Sequence, residues 1–483
     1  MTERNRLQPL AGAVFMALFM VGGARAQQGR TSTESDQKQV AVTVYNSNIA
    51  LVRDVRRVDL PSGEVNLRFM DIAAKVNPAT VHIVSQTAPK ELTVLEQDYE
   101  YDLLNPQKLL NKYVGKEVTL VRRRWENMST KEEEVQATLL ADNDNQPVWK
   151  VGGQIVTGMD ADRYVFPDLP GNLYSKPTLI WLLDNRHAGE QTVEAQYLTD
   201  GLNWNADYVL TVATDQKSAD LNGWVTVVNQ TGAEFRNALL QLVAGAVHRV
   251  EQTVPRAMDV LRPRAGLAAA PPPFQQEAIS EYHLYTLSRP TTLQDNETKQ
   301  ISLLAANGFP IEKHFEVSGQ TYYYQNQTTP GAPIKDPVEV HLKFKNSEAT
   351  GLGMPLPAGT VRVYQNDSKG RAQFIGEDSI GHTPKDEKLD LHIGNAFDVV
   401  EERKQTDYQK IDRHTSEMAF EITLRNHKPD PIMVEVNEPF GGDWTIEDSS
   451  FKYEKTSAFS ARFMVPVAAN GTSVLKYRVR VRW

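Results

Sequence analysis

The chain has 483 residues, no cysteine, 40% hydrophobic and 23% charged residues, and a formal net charge of -9. Without thiols it has neither disulfide staples nor a cysteine nucleophile, so its core must come from apolar burial, in a length that accommodates two to four domains of about 100–200 residues. The acidic balance repels phosphate backbones and argues against a nucleic-acid partner.

At the N-terminus, Arg4 and Arg6 precede an apolar run from Leu10 to Val21, and Ala24-Arg25-Ala26 follows. A basic start, an apolar stretch and small residues at Ala24 and Ala26 make a signal peptide over 1–26, cleaved after Ala26. The run is shorter than the roughly 20 residues that span a bilayer. With a mean hydropathy of -0.45 and no second long apolar run, no transmembrane helix is expected once the signal is removed. The expected location is periplasmic or secreted. Cleavage removes three basic residues and one acid, leaving a net charge of -11.

Residues 27–38 are polar and predict a disordered tail. From 39 to 104 the chain reads as an N-terminal β segment, because Val40, Val42 and Val44, then Val65, Leu67 and Phe69, alternate with polar residues. Pro61-Ser62-Gly63 lies between two such runs and predicts a hairpin, since proline fixes φ and glycine accepts positive φ. Asn105 can cap a helix whose first position suits Pro106, whose shared face carries Leu109, Leu110, Tyr113 and Val114, and whose C′ position is Gly115. Short strands follow closely, so 105–170 is expected to be that helix plus a small SH3-like barrel insertion.

Residues 171–254 predict a β-sandwich, with Val193, Ala195 and Tyr197 and then Tyr208, Leu210 and Val212 in alternation. The stretch Pro255–Gln276, with Ala268-Ala-Ala and Pro271-Pro-Pro, predicts a linker or long loop over 255–278 that divides a front part from a back part. A β segment over 279–332 and a C-terminal sandwich over 333–483 complete the chain. In the latter Met418, Phe420, Ile422 and Leu424 alternate, as do Leu475, Tyr477, Val479, Val481 and Trp483 against Lys476, Arg478, Arg480 and Arg482. The fold class is mainly β: tandem antiparallel, Ig-like sandwiches with a small barrel insertion and one short helix.

No catalytic constellation is evident. G-x-S-x-G and phosphate-loop patterns are missing, and the ten histidines are scattered without an H-x-H or H-E-x-x-H spacing that would place two imidazoles on one face. No cofactor or metal is therefore expected. The densest polar stretch, with Glu377, Asp378, His382 and Glu387, could supply a general base beside a histidine but reads more simply as a solvated loop. Asp142-Asn-Asp144-Asn suggests calcium by its alternate oxygens, yet lacks the glycine and terminal glutamate of an EF-hand and reads as a hairpin turn. Trp149, Trp181, Trp204, Trp224 and Trp444 could stack on sugars, although aromatics on strands usually fill cores. Tyr322-Tyr323-Tyr324, taken as a strand, cannot turn all three rings inward. The aromatic C-terminal strand has the form of an outer-membrane assembly signal, but the upstream strands lack the evenly spaced pattern of a membrane barrel.

The segments from Tyr197 to Tyr208 and from Leu221 to Gly232, closing on Leu242-Val-Ala-Gly245, resemble a bacterial domain-of-unknown-function family that also forms the C-terminal part of mucoidy-inhibitor-A-like proteins. Gly359–Tyr364, Ile375–Asp378, Gly381-His382-Thr383 and Leu424–Lys428 extend the similarity over most of 170–483. The resemblance implies an exported β-sandwich and carries over no site residues. The chain lacks the coiled coil of the mucoidy-inhibitor type. In physical terms Gly201, Gly223, Gly232 and Gly245 mark turns, Trp204 and Trp224 fill the core, and Asn229 satisfies backbone groups at a strand end. The expected function is non-catalytic binding or scaffolding in the cell envelope, with an envelope protein or polysaccharide as partner. The alternatives are a glycan or peptide hydrolase using convergent carboxylates, and an outer-membrane-associated protein.

Overall fold

In a computed structural model of the chain, the described residues are 28–100, 105–126, 129–143, 146–159, 161–168, 176–245, 274–328 and 332–483. The signal peptide with Ala24 and Ala26, and the linker up to residue 273, lie outside them. The fold is mainly β, with one α-helix among the described residues. The chain divides into two compact units, one formed by residues up to Asp36, Arg57–Met70 and Val84–Val193, the other by Gln37–Arg56, Asp71–Ile83 and Glu194–Trp483. The strands Ile49–Leu60, His82–Ser85 and Gly189–Asp200 run across these boundaries in sequence.

The first unit holds two sheets. One has the order Gln28–Ser32, Gly63–Met70, Thr178–Asn185, Leu92–Glu100. Its outermost pair is parallel, with Arg30 opposite Leu67. Residues 28–38 are therefore not a disordered tail: Gln28–Ser32 pair along an existing strand, which a polar sequence can do because the ladder uses main-chain groups, and a 3-10 turn over Glu34–Asp36 leads into the strand Gln37–Tyr45. Nor does Pro61–Gly63 close a hairpin, because the strands before and after it belong to different sheets. The Asn185 side-chain amide caps that corner, donating to the carbonyls of Leu60 and Pro61 at 3.3 and 2.8 Å. Trp181 is fully buried, edge-on to Phe69, with its indole N–H donating to Gln97 at 2.8 Å.

The other sheet has the order Gln154–Thr157, Gln146–Val151, Ser129–Asn143, Glu117–Glu126, Arg163–Val165. Among the described residues its two end strands do not pair, so it is an open sheet rather than a closed barrel. The helix Pro106–Lys112 is capped as expected, with the Asn105 side chain accepting from the Lys108 N–H at 2.8 Å. It ends at Tyr113, and Gly115 takes φ +84. Leu110 and Tyr113 pack with Trp149, Val118 and Leu139, whereas Val114 is exposed and off the shared face. Asp142 and Asn143 pair with Pro147 and Gln146 in antiparallel strands, and Asp144 and Asn145 lie outside the described residues.

In the second unit, strand Leu202–Val212 pairs antiparallel with Ser218–Asn229 and in parallel with Gly359–Asn366. Residues on either side of the Pro/Ala-rich stretch thus share one sheet, and the chain has no separate front and back halves. Strand Phe274–Ile279 forms a hairpin with Tyr282–Leu287, so the last residues of the expected linker are strand. Trp204 is buried against Tyr285 of an eight-stranded sheet, and its indole N–H donates to the Val243 carbonyl at 3.3 Å.

The C-terminal sandwich faces a six-stranded sheet, ordered Lys388–Asn395, Glu339–Lys345, Glu312–Ser318, Ile432–Pro439, Ser460–Val467, Tyr453–Ser457, against a four-stranded sheet. The four are Val399–Lys410, Thr415–Asn426, Thr472–Arg482 and Asp443–Ser449. Val434, Val436, Phe463 and Val465 from one side meet Met418, Phe420, Ile422, Val479 and Val481 from the other. Each such side chain contributes on the order of 1.5–3 kcal/mol by burial. The C-terminal strand is interior to its sheet. Its basic face is neutralised by neighbours: Arg478 meets Asp407 at 2.8 Å, Arg480 meets Glu417 at 3.0 Å, and Lys476 meets Glu421 at 2.9 Å.

Candidate functional site

The four polar residues singled out in the sequence each have a different partner. Glu377 lies 3.4 Å from Arg362, which also holds Asp207 at 2.9 Å. Asp378 accepts the backbone N–H of His392 at 2.9 Å. His382 Nδ1 accepts from the Ala358 N–H at 3.1 Å, and burial followed by nearby His283 lowers its pKa. Glu387 is exposed, and it is its backbone carbonyl that receives the Asn346 N–H at 2.8 Å. The His382 ring nitrogen engaged by a backbone amide and the Glu377 and Asp378 carboxylates engaged with Arg362 and the His392 N–H are structural bonds to separate partners, not an acid and a base converging on one point.

The family-like motif residues hold the fold. Asn229 is buried, donates to the carbonyls of Ala233 and Gln294 at 2.9 and 3.0 Å, and accepts from Thr231. Gly201, Gly232 and Gly245 take positive φ. A β-carbon on Gly245 would stand 2.5 Å from the Tyr282 ring, and one on Gly223, in extended backbone, would stand 3.0 Å from Leu304. Trp204 fills the core as expected, but Trp224 is half-buried. Its strand turns odd-numbered residues inward, from Leu221 through Val225 to Asn229, so period two places residue 224 on the other face. Trp149 and Trp181 are core residues, and Trp444 packs at the core's margin. The three tyrosines form a short 3-10 turn rather than a strand, with Tyr322 exposed and the other two buried.

Two ionisable clusters stand out in the C-terminal sandwich. The first is inside it. Arg403, Glu401 and Glu438 are each 0% exposed at the side chain. Arg403 Nη1 stands 2.8 Å from Glu438 Oε1, and Nε stands 3.5 Å from Glu401 and 3.7 Å from Asp336. Tyr324 donates to Glu438 and is 2.8 Å from the Tyr477 hydroxyl. Tyr323 donates to Asp336 at 2.9 Å while the guanidinium lies 5.2 Å from its ring. Burial raises the pKa of Tyr324 and Tyr477 well above the phenol range. Burial would favour a neutral Arg403, but Glu438 above all holds its pKa well above normal. Glu401 is pushed up to about 7 by burial, against the pull of Arg403. The sequence predicts nothing of this kind, because strand Val399–Lys410 inserts Glu401, Arg403 and Gln405 at inward positions where apolar residues would ordinarily stand.

The second cluster lies on the outer face of the six-stranded sheet. His314 is directly opposite His341, and His341 directly opposite His392. His314 Nδ1 bonds Glu435, and its Nε2 is 3.3 Å from Glu312. His341 Nδ1 bonds Asp390 at 2.8 Å. Lys343 reaches Glu316 at 2.5 Å and Asp390 at 3.4 Å. Burial alone would lower its pKa, but these carboxylates, with Glu435, keep it raised. Arg462 ties Glu454 at 2.8 Å and Glu435 at 3.5 Å. Two trios, His314–Glu316–Glu435 and Glu316–His341–Asp390, place one ligand-type atom per residue within 4.8 Å of one another.

Residues 193–483 match the family described as Domain of unknown function (DUF4139). The chain belongs to that family. The match covers more than half of the chain and takes in both clusters, so the DUF4139 region contains the whole C-terminal sandwich. No curated protein matches the chain. Among the described residues no helix is long and apolar enough to cross a membrane. The outer cluster of this DUF4139 protein escapes a search for closely spaced histidines because it is assembled from separate strands. A subtler signal is present: Glu312-x-His314-x-Glu316, Glu339-x-His341-x-Lys343 and Asp390-x-His392 each repeat titratable residues at the spacing that puts them on one strand face.

Proposed function

We propose that this DUF4139 protein is exported and works without catalysis, as a binding or scaffolding component of the bacterial cell envelope whose partner is an envelope protein or polysaccharide. The observation that carries the non-catalytic reading is the dispersal of Glu377, Asp378 and His382, each committed to a separate structural contact, while Glu387 is exposed and engages Asn346 through its backbone carbonyl. A hydrolase needs an acid and a base converging on one bond. The buried carboxylates around Arg403 are closed off by the sandwich itself, with no exposed side-chain surface on Glu401 or Glu438.

Export is supported by the ordered series of basic start, apolar run and Ala24-Arg25-Ala26, and the kinship with mucoidy-inhibitor-A-like proteins belongs to the same proposal. The acidic net charge favours partners other than nucleic acid. Expression of the full chain in a Gram-negative host tests the reading in two steps. The mature protein should begin at Gln27 by intact mass, leave the cells on osmotic shock, and sediment with purified envelope polysaccharide or pull down an envelope protein without releasing soluble fragments. Retention of residues 1–26 in the cytosol would overturn export. Release of glycan or peptide fragments, abolished by Glu377→Gln with Asp378→Asn, would overturn the non-catalytic reading in favour of the hydrolase.

A further inference from the structure

We infer that the outer face of the six-stranded sheet binds a divalent transition-metal ion of the zinc class, held by His314, Glu316 and Glu435. The inference does not depend on export or on the identity of an envelope partner.

The ligand types come first. One imidazole and two carboxylates form an N,O,O set suited to zinc and its first-row neighbours, and three protein ligands leave a coordination position open for water or a partner's group. The positions are built rather than incidental. His314 and Glu316 are two residues apart on one strand and so share its outer face, while Glu435 stands in parallel register directly opposite Glu316 on the next strand. Their ligand-type atoms already lie within 4.8 Å of one another. Glu435 is only 6% exposed at the side chain, so its carboxylate is held in place by the sheet rather than waving in solvent.

The charge balance points the same way. Glu312, Glu316, Glu339, Asp390, Glu435 and Glu454 on this face outnumber Lys343, Lys345, Lys388 and Arg462. An excess of carboxylates on this face makes a cation the complementary guest. Lys343 engages Oε1 of Glu316, and the other oxygen has only Asn437 at 3.5 Å, so Glu316 can ligate without giving up its ammonium partner. A further sign comes from beside the trio. The Nε2 atom of His341 is buried and, among the described residues, has no hydrogen-bond partner, with Glu339 at 3.5 Å. An orphaned ring nitrogen inside a carboxylate-rich belt is costly unless something binds there.

The test uses the full mature chain, stripped with chelator and titrated calorimetrically with zinc chloride, with cobalt(II) as a spectroscopic stand-in. One zinc per chain is expected. His314→Gln should weaken binding by at least about 100-fold and remove the visible cobalt bands, whereas His382→Gln, far along the sequence and bonded elsewhere, should leave affinity unchanged. His314 is partly exposed, so its variant should stay folded, and unchanged circular dichroism makes the comparison sound. Glu435→Gln, read the same way, should reproduce the loss. Failure of the wild-type chain to bind zinc up to millimolar concentration would overturn the inference. So would binding that survives His314→Gln with less than threefold change, which would show an adventitious surface ion.

Discussion

The two ionisable clusters of the C-terminal sandwich use the same kinds of side chain for opposite ends. In the core, one guanidinium answers three carboxylates and two phenols, with Arg403, Glu401 and Glu438 sealed from water and Asp336 nearly so. On the outer face of the six-stranded sheet, three histidines sit in a row among carboxylates that outnumber the lysine and arginine beside them. What separates the clusters is water. A buried charge without its partner has no alternative solvent, so the inner set is bound into the fold, while solvated members of the outer set such as Glu312 and Asp390 can exchange partners at small cost. Charge density alone therefore does not mark a functional centre, and the most concentrated cluster here is a fastening.

The comparison can be broken most severely at Arg403. Arg403→Met leaves Glu401 and Glu438 buried without their cation and should cost about 3–5 kcal/mol, read as a lower urea midpoint. Next in size is the pH dependence contributed by Glu401. Its folded pKa of about 7 lies above the ordinary 4.5, so its protonated form stabilises the fold fully below about pH 4.5, and that stability is lost as pH rises through 7. The loss is on the order of 3 kcal/mol across this window. Glu401→Gln should flatten that slope, so wild type loses more stability than the variant between pH 5 and pH 8 in paired urea titrations. Equal slopes would remove Glu401 from the account.

Tyr324→Phe deletes a hydroxyl shared by Glu438 and Tyr477 and should cost about 1–2 kcal/mol by the same measurement. On the outer face, His341→Gln and Lys343→Met should each shift stability by no more than about 1 kcal/mol, because their ion pairs are partly solvated. A shift as large as that of Arg403→Met would erase the distinction between the faces.

The sequence discloses these regions unequally, and the reason is the range of the information. Apolar alternation marks strands such as Met418–Leu424 and Leu475–Val481 because period two is a local property, and Asn105 and Pro106 mark the helix start for the same reason. Pairing is not local. Nothing in Pro61-Ser62-Gly63 says that the following strand will seek residues 178–185, and nothing in Gln28–Ser32 announces a partner at Val65–Phe69. Face assignment fails where one residue decides it, as at Trp224, and where charged residues occupy inward slots, as at Glu401 and Arg403. The outer cluster was half legible: each strand shows its histidine at the right spacing, but only the sheet order brings His314, His341 and His392 side by side.

Native-state hydrogen exchange of peptides covering Thr415–Asn426, compared between Arg403→Met and His341→Gln, tests the division of labour most directly, because this strand lies between the Arg403 strand and the C-terminal strand and reports on the sandwich alone. The account predicts protection lowered by about 100-fold or more in Arg403→Met and by less than about fivefold in His341→Gln. Equal protection in the two variants would contradict it.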